Sequence, residues 1–455
     1  MKQISIAALM MTLPLLWVSL LPAGSEGSIK PFHVAALALI GITVSTRSGW
    51  TGILSVHRST KPFTYSVMMY LLFIALPLVV FKEPYFSSGA VAKEVFAIAT
   101  GFSISAVTYG FIVRNAPPSR VISIVGLLTL IMTLGVLSYS LYATGRNPLD
   151  TIRLAFSRGD PDIIIFNLFR ASLAEAAQSE EVRSNLRHGI VSGLYVSVLF
   201  SSIAFSMNQP ARFIGRALHG LTWILLTAVI LLSFSRSLGL TLLITLGAAL
   251  VIQAKRSTSD LQRFAIFAGA LCIVAGLFAS IMGDLIVERL VNDTGSYTGR
   301  TQAMSLAFDA ILASPVVPLE RNALLPSPHN AILRAWLGAG FLAAVAMAIA
   351  LVYLLRAWIG VFFCGLRADR WVVSISPTIV LAAGALPLIR FFTAGSGVNT
   401  VQEWTALGIF LGSWAALKSR SHQSVVQKTN KQRRTHSRAV ADASLSGQTS
   451  NPTSL

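Results

Sequence analysis

Apolar runs dominate this chain. Stretches of about 20 residues with few charges recur from the first residues to about position 417, each long enough to cross a hydrocarbon layer roughly 30 Å thick. They are continuously apolar and do not alternate, so the pattern predicts α-helices and not the strands of a barrel. Read in this way the sequence holds about twelve spans, at 4–22, 31–46, 64–82, 94–113, 121–143, 189–207, 217–234, 237–253, 264–282, 331–355, 372–389 and 403–417. The expected fold class is all-α: a polytopic transmembrane helical bundle over 1–418, followed by a basic, disordered tail over 419–455. The first run follows Lys2 and precedes Ala23 and Gly24, as in a signal peptide, yet it fits the loop charges that follow and reads as a retained span.

Between the spans, the connections divide by charge. One alternate set carries Arg47, Arg58 and Lys61; Arg114 and Arg120; Arg212 and Arg216; Lys255, Arg256 and Arg263; and Arg356, Arg367 and Arg370. By the positive-inside rule these face the cytoplasm, and the tail falls on the same side as Lys2, so both termini are expected to be cytoplasmic. Two connections on the opposite side, about 144–188 and 283–330, are far longer than the others, and loops that long usually carry function. Within the first, Ile163, Phe166, Phe169 and Leu173 recur at helical spacing among polar residues, which suggests a helix lying in the interface.

Composition agrees with a membrane solvent: 54% of residues are hydrophobic, 12% are charged and the mean hydropathy is +0.68. The formal charge of +18 sits at membrane boundaries and in the tail, which points to topology and lipid contact and not to nucleic acid. Only Cys272 and Cys364 occur, each in or beside an apolar run, which supports neither a disulfide framework nor a thiolate zinc site. No cofactor is expected. Ionisable side chains look scarce in mid-span and no buried acid is evident, which argues against a proton relay.

Chemistry is therefore expected at the outer surface. Arg187, with Arg183 and His188 beside it, ends the first long loop. Arg236 lies in the Ser235-Arg236-Ser237 turn, Arg300 in the second loop, and His329 at that loop's end. Ser327-Pro328-His329-Asn330 reads as a helix start with Ser327 as N-cap, which puts His329 in the first turn, where the helix dipole favours the neutral imidazole. Arg236 is held near the membrane surface by two apolar neighbours, and its planar fork suits phosphate oxygens. Arg300 is expected in a glycine-containing turn just before a helix over 302–312. Each residue also has an ordinary alternative: a structural histidine, a snorkelling arginine, a solvated loop charge.

The ordered set SFSRS, then TGR opening the second long loop, then PHN closing it into a span, resembles the O-antigen ligase/O-antigen polymerase family. His329 followed after ten residues by Gly340 matches that family's His-x10-Gly pattern, and DTGSYTGRTQAMSLAFDAI looks like the matching stretch of exopolysaccharide polymerases. The likeness covers about Leu218 to Leu355. It implies a GT-C-type, metal-independent glycosyltransferase of the bacterial inner membrane, using a glycan on a polyprenyl diphosphate as donor. The acceptor would be a glycan, lipid A-core or protein, with other polysaccharide assembly proteins as possible partners. Carried over, His329 would assist transfer as general base. Arg236 and Arg300 would act on the diphosphate with it, and Arg187, Arg183, Ser235 and Asn330 would contact substrate. Two family elements are absent: Pro315-Val-Val-Pro-Leu-Glu-Arg321 replaces a glycine-rich bend, and GIVSGLYVSV replaces a Gly-x-x-x-x-Pro-Asn element. The competing readings are a transporter or flippase for a lipid-linked glycan and a non-catalytic assembly partner.

Overall fold

The computed structural model describes residues 2–13, 30–82, 84–115, 124–129, 147–160, 180–207, 213–233, 235–256, 294–316, 328–367, 371, 373–393, 398 and 400–420, with isolated positions at 122, 131–138, 163, 262–276 and 318. Among them the chain is helical, with no β-strand. The helices are α1 (Lys2–Thr12), α2 (Pro31–Ser45), α3 (Arg47–Ser59), α4 (Lys61–Ala75), the single turn α5 (Pro77–Val80), α6 (Ser88–Val113), α7 (Pro148–Arg158), α8 (Glu180–Met207), α9 (Phe213–Leu232), α10 (Arg236–Arg256), α11 (Thr294–Ala313), α12 (Ala331–Ala339), α13 (Phe341–Leu366) and α14 (Pro377–Thr393). A last helix, α15, covers 401–420.

Among the described residues, five segments are long and apolar enough to cross a membrane: Lys61–Val80, Ser88–Val113, Gly189–Met207, Arg236–Arg256 and Phe341–Leu366. A sixth is formed if α2 and α3, bent by 92°, are taken as one. This is a multi-pass helical membrane protein. The rows Met68, Met69 and Leu72 on α4, with Leu76 just after it, and Ile349, Val352 and Leu355 on α13, are exposed, as side chains facing lipid would be. The expected span at 264–282 and the tail lie almost wholly outside the described residues, which take in only 4–13 of the span at 4–22 and about half of that at 121–143.

Three expectations change. The loop carrying Arg47 and Arg58 is a helix, α3, turned sharply off α2. In the long outer connections the helix expected over 302–312 is present but starts earlier, at Thr294, and α7 and the first turns of α8 are helices the sequence reading did not place; of the proposed interface helix over 163–173, only Ile163 is described. The run 331–355 is not one span either: it breaks at Gly340, whose φ of 82° is open to glycine alone, and an added Cβ there would lie 2.6 Å from the Val316 carbonyl oxygen.

At the centre runs α15, buried along 401–413. Gly408 and Gly412, four residues apart, face Gly101 and Ser105 of α6, and a Cβ on either glycine would collide with those two carbonyl oxygens. Small residues at this spacing let two helix backbones touch, and in lipid such packing replaces the hydrophobic drive that holds soluble helices together. On the other sides of the bundle α4 packs along α13, and α10 along α14. Gly412→Leu is expected to separate α6 from α15 and to destabilise the fold by about 3 kcal/mol or more. Size-exclusion chromatography and thermal unfolding of the detergent-solubilised variant measure it, and a wild-type melting profile would show that the crossing is not tight.

Candidate functional site

Among the described residues, two ion pairs are buried inside the bundle. Glu94 on α6 meets Arg334 on α12 at 2.5 Å, with side chains 1% and 7% exposed. The Tyr70 hydroxyl donates to the other oxygen of Glu94 at 2.6 Å, and the Phe86 ring lies 4.9 Å from the guanidinium. The second pair joins Arg390 Nε on α14 to Glu403 Oε1 on α15 at 2.9 Å. Ser192 on α8 donates to the same carboxylate oxygen at 3.3 Å, and Arg390 Nη1 reaches Ser237 Oγ on α10 at 3.4 Å. The expectation that no acid is buried is therefore wrong. Glu94 and Glu403 sit near the starts of their helices, where a sequence reading places the membrane boundary, and only packing shows them enclosed.

The candidate residues are arranged around these pairs. His329 and Asn330 lead into α12, and Asn330 Oδ1 accepts from the backbone N–H groups of Ile332 and Leu333 at 2.9 and 3.2 Å. Asn330 is thus the N-cap, in place of Ser327, which lies outside the described residues, and His329 precedes the helix and is exposed instead of sitting in its first turn. One turn on, Arg334 fixes this short helix to α6. Gly340 ends it by donating its N–H to the Trp336 carbonyl at 2.8 Å, so the ten residues between His329 and Gly340 span one capped helix.

Arg236 is the first residue of α10 and half-buried; Ser235, just before it, is buried, its N–H donating to Ser233 Oγ at 3.3 Å. Its neighbour Ser237 is the one held by Arg390. Arg183 and Arg187 lie in the opening turns of α8, not in a loop, and the helix rise puts Arg187 about 7.5 Å along the axis from Ser192. Their side chains, like that of Arg300, lie outside the described residues. Arg300 is itself helical, because α11 begins at Thr294 and not near Gln302. That helix docks on α12 through Ala307, Ile311, Leu333 and Leu337, and Trp336 Nε1 donates to the Pro315 carbonyl at 2.7 Å.

No protein-family model matches the chain, and no curated protein matches its sequence. What the structure contributes is placement. The starts of α6, α8, α10, α12 and α15 form one end of the bundle, and Arg183, Arg187, Arg236, His329 and Asn330 belong to that end. Lys30, ahead of α2, and Lys93, beside Glu94, add two cations that sequence reasoning missed. Burial, and secondly the charge of Lys93, hold the Lys30 ammonium below the usual lysine range. Arg334 and Arg390 are each neutralised by a carboxylate, and Arg236 stands half-buried at the start of α10 on the same end.

Removing one partner of the Glu94–Arg334 pair strands the other charge in low dielectric, at a cost of about 3–5 kcal/mol. Arg334→Met alone is expected to lower the melting temperature sharply, and Arg334→Met with Glu94→Gln to recover part of the loss. Equal melting temperatures for the single variant and wild type would mean that the pair is hydrated.

Proposed function

We propose that this protein is a membrane glycan transferase of cell-surface polysaccharide biosynthesis, of the O-antigen ligase/polymerase type. It would polymerise or ligate oligosaccharide carried on a polyprenyl diphosphate. The reading includes a GT-C-type bundle of about twelve spans in a bacterial inner membrane, both termini cytoplasmic, with the Arg236–His329 end extracytoplasmic. One observation carries it: the SRS and PHN elements open two different helices at the same end of the bundle. Each is tied to a buried ion pair, Ser237 through Arg390–Glu403 and His329-Asn330 through Arg334–Glu94.

In this reading Arg236, with Arg300 and Arg187, grips the diphosphate and offsets the charge that grows on it as the glycosidic bond to the carrier breaks. His329 takes the proton from the acceptor hydroxyl. Fixed helix starts serve such chemistry, since a small displacement of the general base lowers the rate steeply. A second reading, transport or flipping of the lipid-linked glycan, draws support from the buried charges and from the broken helices at Thr46 and Gly340. Both charge pairs are internally neutralised, however, which favours a scaffold role over a translocation path.

Deletion of the gene in its host, followed by analysis of glycans on polyprenyl diphosphate, tests the proposal. Single repeat units without polymer identify a polymerase, and stranded lipid-linked polymer identifies a ligase. His329→Ala at matched membrane levels is expected to lose complementation by at least about a hundredfold in product. Full complementation by that variant would remove the transferase reading.

A further inference from the structure

The end of the bundle opposite the charged pairs has a built surface of its own. Glu94 and Glu403 stand near the starts of α6 and α15; α3 packs near the other ends of the same two helices, roughly 20–30 Å away along their axes. Helix α3 leaves α2 at 92°, so if α2 runs through the bilayer, α3 lies along its surface. Two glycines permit the turn and the close seat: a Cβ on Gly49 would collide with the Thr43 carbonyl, and one on Gly52 would come within 2.8 Å of the Ala106 carbonyl on α6. Gly49, Gly52 and Val56 form the inner face.

The outer face of α3 is Arg47, Trp50, Thr51, Leu54 and Arg58, with Trp50 49% and Leu54 47% exposed. The His57 ring meets Tyr65 of α4 edge-on at 5.3 Å, which joins this stripe to the exposed apolar row Met68, Met69 and Leu72. Apolar side chains in the middle, cations at both ends and continuity with a lipid-facing row describe a helix half sunk in a headgroup layer. No Asp or Glu occurs between Glu26 and Glu83, so α2, α3 and α4 offer no acidic partner for Arg47, Arg58 or Lys61. Other cations gather nearby. Lys2 Nζ donates to Ser48 Oγ at 2.8 Å and Lys418 Nζ to the Ser59 carbonyl at 3.1 Å, with Arg114 close to Lys2 and Arg356 close to Lys418.

We infer that α3 is an interfacial helix that binds anionic phospholipid, with Trp50 and Leu54 entering the acyl boundary and Arg47, Arg58 and Lys61 holding the phosphodiester headgroups. The inference is independent of the transferase reading and stands or falls separately from it. Each cation near an anionic surface contributes about 1 kcal/mol, so the three together favour anionic over zwitterionic lipid by about a hundredfold.

The test uses the full chain purified with phosphatidylglycerol and phosphatidylethanolamine present, with retained lipid counted by native mass spectrometry. Replacing Arg47, Arg58 and Lys61 by Gln is expected to cut retained phosphatidylglycerol about tenfold or more and leave phosphatidylethanolamine unchanged. Undiminished phosphatidylglycerol would overturn the inference. A second measurement leaves the charges intact: Leu54→Cys carrying a spin label, after Ser replaces Cys272 and Cys364. In phosphatidylglycerol nanodiscs the label should be relaxed more by oxygen than by a water-soluble nickel chelate; the reverse order would place α3 in water and sink the idea.

Discussion

A carboxylate removed from water must be neutralised where it stands, and two such carboxylates organise one end of this bundle. Glu94 and Glu403 each meet an arginine from another helix, so α12 is held to α6 and α14 to α15 by charge. A replacement pair of apolar residues could hold the helices together equally well. What the ion pairs add is direction, because a guanidinium that loses its partner by slipping along or about the axis faces a large desolvation cost, whereas a leucine that slips finds another leucine.

That selectivity matters most for α12. Nine residues are too few for a helix to be stable alone. It is kept by the Asn330 cap at one end, the Gly340 turn at the other, the Arg334 anchor in between and the docking of α11 on its flank. Everything proposed for His329 depends on this support, since the histidine is exposed and sits ahead of the helix. The same logic extends to Arg236 through Ser237 and Arg390. The two candidate elements are thus carried by helix starts whose positions are fixed by the buried ion pairs.

The opposite end is built on a different principle. There the backbone turns by 92° at Thr46, Gly49 lets α3 fold close on Thr43 of α2 and Gly52 seats it on Ala106 of α6, and the cations lie around a stripe of Trp50 and Leu54. One end holds neutralised charge buried between helices; the other presents positive charge outward beside lipid-facing side chains. The polarity of the bundle follows from that contrast.

The sequence by itself determined the solvent and the class. Long apolar runs can satisfy their backbone in lipid only as helices, and the described apolar helices at Lys61–Val80, Ser88–Val113, Gly189–Met207 and Arg236–Arg256 fall where hydropathy places them. It also singled out Arg236, as an arginine beside apolar runs, and His329 and Gly340, through the spacing on which the proposed resemblance rests. Tertiary structure decided the rest. Hydropathy averages over a window, so it could not see that Gly340 breaks a run that stays apolar on both sides, or that the charges around Trp50 belong to a helix and not a loop. Nor could it show that Glu94 and Arg334, 240 positions apart in the chain, are partners. Burial of a charge is a property of what packs around it, and one strand of letters does not record its neighbours in space.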